Sequence, residues 1–436
     1  MRGRSLIGAT LALLACSLLL AACGSSGGSS SSSKSTGQTK GAKSVDPAAM
    51  KNAKGNITYC AGKDTSGDLK EGIANFNKKY GGQGLKVTLK EFPEAADEQR
   101  TQFIQRQRAK SGECDGFESD VIWTAEFASQ KWLQDMSKYV DSRKSEFVPS
   151  TLQSVTFDGK RWGVPRATDA GFLYYRTDAV KTPPTTWQQA YSEAKSANPK
   201  GIVYQGAAYE GLTVHFLELA FAAGGKVISA DGKKSEFNSP ANVKALKFMV
   251  GGIKSGAAPK ANTTYMEETA RRVFEAGKVS IMRNWPYAYA LDQQAKAIKG
   301  KFKVEPLPSF QGGGKAGILG GHNMVISTYS KNPGATLKFI DYMTSAPVMK
   351  RNAVKYSKSP TLNATYDDAA VKKAIPFAPQ LKQAVSQAQS RPVSPVYSLI
   401  SEAIYKNVNA ALSGSITPEA AIKKADGQIT KAIATF

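Results

Sequence analysis

Two rhythms of apolar and polar positions run along this chain. Residues 56–61 form a short β-type run. In 67–80, Leu69, Ile73 and Phe76 recur three and four apart, which predicts a helix with one apolar face. Residues 85–92 alternate, as a half-buried strand does, and 96–111 read as a charged amphipathic helix. Residues 120–124 are apolar and β-branched and predict a strand, after which 126–133 return to helical spacing. This βαβαβα succession predicts an α/β fold, a parallel sheet with helices on its faces. A second cycle follows. Arg176-Thr177-Asp178 marks a turn, Thr186-Trp187 opens a helix carrying Tyr191 and Ala194, and 202–204 is a strand. Residues 212–223 form a helix ended by Gly224-Gly225, Ser239-Pro240 caps a helix running to Val250, and 279–282 is a strand. From Thr336 onward the pattern is mainly helical, and no internal repeat is visible.

The first residues break this rhythm. Arg2 and Arg4 precede an apolar run from Leu6 to Leu20, a charged segment and hydrophobic core of signal-peptide length. The run is too short and too early for the usual transmembrane helix. It ends in Leu20-Ala21-Ala22-Cys23, which resembles a bacterial lipobox, in which the cysteine becomes the first mature residue and carries lipid. The alternative is an ordinary cleaved signal with a chance cysteine. From Gly24 to about Asn56, Ser, Gly, Lys and Thr dominate, with too little apolar surface to offset ordering. The expectation is a lipoprotein signal peptide over 1–22 and a lipidated flexible tether over 23–55, placing the body on the outer face of a membrane.

Composition narrows the classes. A chain of 436 residues suggests two or three domains, and 41% hydrophobic with 21% charged residues excludes a wholly disordered one. No later run of about 18 apolar residues occurs, which excludes a multi-span membrane protein. His215 and His322 are the only histidines, so a His-rich metal site is excluded, and four cysteines rule out a paired CxxC zinc module. The net charge is +23, or about +21 once Arg2 and Arg4 leave, but the lysines are dispersed rather than clustered with aromatics. With Cys16 removed and Cys23 lipidated, Cys60 and Cys114 remain, and export permits a disulfide between them. The element map sets Cys60 at one strand's exit and Cys114 before another, opposite ends of a simple parallel sheet and too far to bridge. An extended lead-in near Gly116 would reconcile them; two buried free thiols are the alternative.

Seven segments in order resemble the family-1 extracellular solute-binding proteins of ABC importers, in particular the trehalose/maltose-binding branch. They are Asp120-Val-Ile-Trp-Thr-Ala-Glu-Phe-Ala128, Val164-Pro165 with Thr168 to Arg176, Thr185-Thr186-Trp187, Tyr204-Gln205-Gly206 with Tyr209-Glu210-Gly211, Met282 to Tyr287, Leu319-Gly320-Gly321, and Ser390 to Tyr397. The resemblance covers nearly all of 56–436. It implies a two-lobed receptor of the periplasmic-binding-protein type, with a hinge and a ligand cleft between the lobes. On that reading the first lobe is 56–166 plus 286–320 and the second 167–285 plus 321–436. It further implies a sugar ligand, a permease partner, no cofactor, no metal, no nucleic acid, a monomer and no catalysis.

A sugar presents hydroxyls at its rim and an apolar C–H face, so its site needs carboxylates, amides and guanidinium groups together with aromatic rings. Asp64 follows the first strand and either meets ligand or caps the next helix. Asp120 stands on a predicted buried strand, where a carboxylate is costly unless partnered. Glu126 either meets ligand or caps its helix, and Trp123 either stacks or packs. Asp169 lies at the first crossing between lobes and lines the cleft in the family. Tyr174 and Tyr175, alternating on the strand after it, read as packing. Tyr209 and Glu210 open a helix whose free N–H groups suit hydroxyls. Glu268 is weighed against a solvated helix position. Trp285, before Pro286, is the stacking candidate. Gly320 and Gly321 permit close backbone approach or form a turn. Arg391 is a bidentate donor or a surface cation, and His215 reads as structural. Relatives usually have aromatic residues where Arg166 and Ala167 stand and a Trp where His322 stands. The site therefore has less stacking surface and more hydrogen-bonding capacity, and the sugar is left open, an α-glucoside being one instance. The competing classes are a secreted glycoside hydrolase using Asp169 with Glu210 or Glu268, and a polyanion-binding surface protein suggested by the charge.

Overall fold

The computed structural model describes residues 37–436, so the signal sequence, Cys23 and the first part of the expected tether lie outside the described residues. Nine strands build two sheets: β1 (Gly55–Ala61), β2 (Leu85–Glu91), β3 (Gly116–Asp120), β4 (Val164–Asp169), β5 (Phe172–Arg176), β6 (Ile202–Val203), β7 (Ile281–Asn284), β8 (Phe302–Pro306) and β9 (Gly320–Ile326). The first sheet has the order β2-β1-β3-β9-β4 and the second β8-β5-β7-β6. In the first, β1 pairs in parallel with β2 and β3, and β9 runs antiparallel between β3 and β4, with a bulge at His322/Asn323. Helices cover both faces. Ile57, Tyr59 and Ala61 of β1 pack into one core and Cys60 into another, the two-residue alternation of a strand buried on both sides. Likewise Tyr174 and Tyr175 enter opposite cores of the second sheet. Helix α1 (Asp68–Tyr80) buries Leu69, Ile73 and Phe76, the face its spacing predicts.

Three expectations meet the structure differently, and one pairing left open is decided. The strand expected at 120–124 lies at Gly116–Asp120, because Phe117 and Ser119 are the residues the sheet buries. Asp120 thus ends the strand. The expected lobe boundaries are also corrected. β8 pairs with β5 in the second sheet, whereas β9 pairs with β3 and β4 in the first. The helices after β9 give Leu337, Phe339, Ile340, Met343 and Met349 to the first lobe's core. A strand belongs with its hydrogen-bond partners, and β9 fills a gap between two strands that would otherwise each expose an edge. Third, residues 37–54 of the expected tether are docked on the body. Thr39 donates to the Asp158 carboxylate through N–H (2.9 Å) and Oγ (2.8 Å), the Val45 N–H meets Asp135 O (3.1 Å), and Val45 is buried. Buried Val45, partly buried Ala42, Met50 and Ala53, and a few directed hydrogen bonds anchor a segment whose composition alone looks unstructured. Of the two readings left open for Cys60 and Cys114, a disulfide or two free thiols, the structure has the disulfide, Cα atoms 5.7 Å apart. The pairing Cys60↔Phe117 explains it, since β3 starts level with the end of β1 rather than its beginning.

Candidate functional site

Between the lobes lies a cleft holding about 1120 Å³ of empty space, including its mouth. The ends of β3 and β4, the start of β9 and Trp285 just past β7 reach it, so strand termini supply many of its groups, as open α/β sheets do. Asp64, Asp120, Asp169, Tyr209, Glu210 and Glu268 line it, as do Trp285, Gly320, Gly321, His322 and Arg391. Glu126, also expected there, does not. Arg100, one helix away, takes its carboxylate through Nε at 2.7 Å. Trp123 and His215 are buried in cores. Asp64 caps the start of α1, accepting from the Gly67 (2.8 Å) and Lys70 (2.9 Å) N–H groups.

Trp285 is held on several sides. Its N–H donates to Asn284 Oδ1 (2.8 Å), its carbonyl accepts from the Tyr174 hydroxyl (2.7 Å), and Nε1 donates to Glu267 Oε1 (3.4 Å). The Arg283 guanidinium lies 4.1 Å from the ring centroid and is itself clamped by Glu218 and Gln205. A Cβ on Gly320 would stand 2.9 Å from the indole, so only glycine leaves the ring its place. Gly321, at φ 115°, would drive a Cβ to 2.3 Å from Ala167 O. Glu267 also accepts from the Tyr209 hydroxyl (2.5 Å), and Glu268 accepts from the Tyr287 hydroxyl (2.7 Å) and from Arg271. These carboxylates fix the aromatic wall, which among the described residues comes wholly from the second lobe.

Glu210 and Arg391 are committed to each other. Arg391 Nη1 meets Glu210 Oε1 at 2.6 Å and Nη2 meets Leu319 O at 3.0 Å, while Tyr397 and Ser401 donate to the same carboxylate. Burial pushes the Glu210 carboxyl up, and Arg391 pulls it down. Burial also lifts Asp169, to about 6, against Lys358, His322, Ser359 and Arg283. The sequence reading missed Asp68, Glu94, Glu118, Glu267, Tyr287 and Lys358 and saw Arg166 only as a departure, yet all line the cleft. Glu267 and Tyr287 adjoin residues that were singled out. Asp68 and Lys358 carry no local signal, because only the fold brings them together. Nine carboxylates line the cleft against Lys63, Arg166, Lys358 and Arg391, so it is acidic in a basic protein. Such a site accepts hydroxyl protons and repels anions. Among the described residues no group of three or more His, Cys, Asp and Glu is placed to hold a metal ion, and no helix is long and apolar enough to cross a membrane.

The chain matches the family described as "Bacterial extracellular solute-binding protein" over residues 61–350. A probable ABC transporter-binding protein of Deinococcus radiodurans is 37% identical over 385 residues, 84% of this chain and 90% of that one. The maltose-bound MalE3 of T. maritima superposes with a TM-score of 0.83 at 36% identity, covering 86% of this chain and 99% of that chain. A Thermotoga lettingae solute-binding protein bound with alpha-D-tagatose gives a TM-score of 0.79 at 26% identity, covering 87% and 100%. With its two-lobed fold and interlobe cleft, the chain belongs to the bacterial extracellular solute-binding proteins, exported carriers of ABC transporters and not enzymes.

Proposed function

We propose that this protein captures a neutral sugar, a disaccharide or short oligosaccharide, by lobe closure and delivers it to a membrane permease. The observation that carries this reading is the pairing of one clamped indole, Trp285, with a wall of carboxylates. Trp285 offers its ring to the C–H face of a sugar, and Asp120 and Asp169 accept hydroxyl hydrogens. The second lobe supplies the ring and the first the carboxylates at the ends of β3 and β4, so a ligand touching both favours the closed form. The bound sugars of the T. maritima and T. lettingae proteins support the ligand class. The lipobox-like Leu20-Ala21-Ala22-Cys23 supports anchoring of the monomer to the outer face of the cytoplasmic membrane. The hydrolase alternative draws on Asp169 with Glu210 or Glu268, and both glutamates are engaged by other side chains. Arg391, Tyr397 and Ser401 occupy Glu210, and Arg271 and Tyr287 occupy Glu268.

The test is a thermal-shift screen of residues 37–436 against disaccharides and short oligosaccharides. At about 100 times its dissociation constant, a ligand stabilises the protein by about 2.7 kcal/mol. The expected result is a carbohydrate hit that disappears in Trp285→Ala, with the sugar recovered unchanged. A panel without any carbohydrate hit, or cleavage of the bound sugar, sinks the reading.

A further inference from the structure

Behind Trp285 lies a buried charge pair. Arg283, on β7, and Glu218, in the helix Glu210–Ala222, are both fully buried, and neither lines the cleft, whereas Trp285 does. A buried charge is costly unless partnered, and here all three guanidinium nitrogens are engaged. Nε donates to Glu218 Oε2 (2.8 Å), Nη2 to Glu218 Oε1, and Nη1 to Gln205 Oε1 (2.9 Å). His215 Nδ1 lies 3.3 Å from the same carboxylate. With its edges held by these partners, the guanidinium has its flat face left for the indole, and Cζ lies 4.1 Å from the ring centroid. Gly171, between β4 and β5, makes the room. A Cβ there would stand 2.6 Å from Arg283 Nη2 and closer still to Glu218 Oε1. Gly171 is not at a positive φ, so this close approach, rather than the backbone, calls for glycine.

We propose that the Arg283–Glu218 pair is a positioning device for the stacking ring. It holds the Trp285 indole in one pose and covers its rear face, and Gly171 admits it. The inference rests on the sugar reading above, and it gives three residues a part in recognition although none of them lines the cleft. A ring already held loses little rotamer freedom when a sugar stacks on it, so the ordering cost falls on folding rather than on binding. Only the cleft-side face of the indole is left to a ligand. Lysine cannot replace Arg283, because an ammonium has neither the planar face nor the fork that Glu218 receives.

Fluorine NMR of the protein carrying 5-fluorotryptophan reads the ring without any sugar. The chain has five tryptophans, and the Trp285 line is the one missing from Trp285→Phe. Trp123, Trp132 and Trp162, packed in a first-lobe core, serve as references. Gly171→Ala displaces the pair and leaves every charge in place. Arg283→Lys keeps the charge and removes the planar face. In both, the Trp285 line should shift or broaden while the reference lines stay. Calorimetry with maltose, trehalose and cellobiose should show affinity for whichever binds falling about fivefold to tenfold. Gln205→Ala, which removes one partner of the guanidinium, should act in the same direction to a smaller extent, and covers the case in which the other variants do not fold. A pair with a merely structural role would lower the melting temperature and leave the Trp285 line and the affinity unchanged, which overturns the proposal. A Trp285 line that moves while affinity stays within about twofold overturns it too. A wild type that binds no carbohydrate overturns the sugar reading, and the Trp285 line still decides whether the pair holds the ring.

Discussion

Asp169 shows how one position couples solvation to recognition. It ends β4 at the first crossing between lobes, and one oxygen accepts from Ser359 Oγ at 3.2 Å. Burial lifts its carboxyl from an ordinary 3.8 to about 6. Because the folded value is raised, its contribution to stability is present below about pH 4 and is lost as pH rises through 6. Ligand binding has the opposite sign. A sugar hydroxyl donates to the ionised carboxylate, so affinity should rise with pH up to about 6 and level off above it, falling up to about tenfold per unit on the acid side. Calorimetry at pH 5, 6 and 7.5 reads this directly, and Asp169→Asn should weaken binding at pH 7.5 and flatten the profile. A wild-type affinity constant across that range removes Asp169 from the site. Asp169 was legible through the family resemblance, in which this motif lines the cleft. Glu126 was not, because Arg100, its partner, lies 26 positions away on another helix.

Helices with a clean apolar stripe, such as Asp68–Tyr80, were legible nearly to the residue, since their pattern is local. β9 was not. It opens with two glycines, and its identity as a strand comes from β3 and β4, both well over a hundred residues earlier. The Cys60–Cys114 bond shows the same limit, because its feasibility depends on the stagger of β3 against β1, which spacing does not encode. That bond closes a 54-residue separation across the first lobe. In the chain-entropy account its removal costs roughly 4 kcal/mol. Cys60→Ser with Cys114→Ser should lower the urea-unfolding free energy by that order while leaving sugar affinity unchanged, since both residues sit in a core away from the ligand wall. A loss of well under about 1 kcal/mol would mean that the reduced chain already holds this stagger in its unfolded ensemble.

At the scale of the whole molecule, the lobe boundaries escaped the sequence because lobe membership is a property of pairing rather than of chain order. Charge misled in a similar way: a net +23 surrounds an acidic cleft, so the global balance says little about what enters. Closure turns on a few contacts made by the protein itself. Asp97, near the start of the helix Ala96–Arg108 in the first lobe, accepts from the Glu210 N–H at 3.0 Å, at the start of the helix Glu210–Ala222 in the second. Asp120 and Arg391 face each other across the same gap at 3.6 Å. A carboxylate against a helix N-terminus is favourable by about 0.3–1 kcal/mol when exposed and more when partly buried, enough to bias a hinge yet too little to lock it. Asp97→Ala should therefore open the sugar-free ensemble, raising its radius of gyration in X-ray scattering, while saturating sugar restores the wild-type dimension. Apparent affinity should fall by the factor by which the closed fraction falls, several-fold at most for an interaction of this size. Asp97→Asn keeps an oxygen acceptor and should behave closer to wild type. If Asp97→Ala leaves the sugar-free dimension unchanged, this contact does not bias closure, and the differential affinity of the ligand has to supply it.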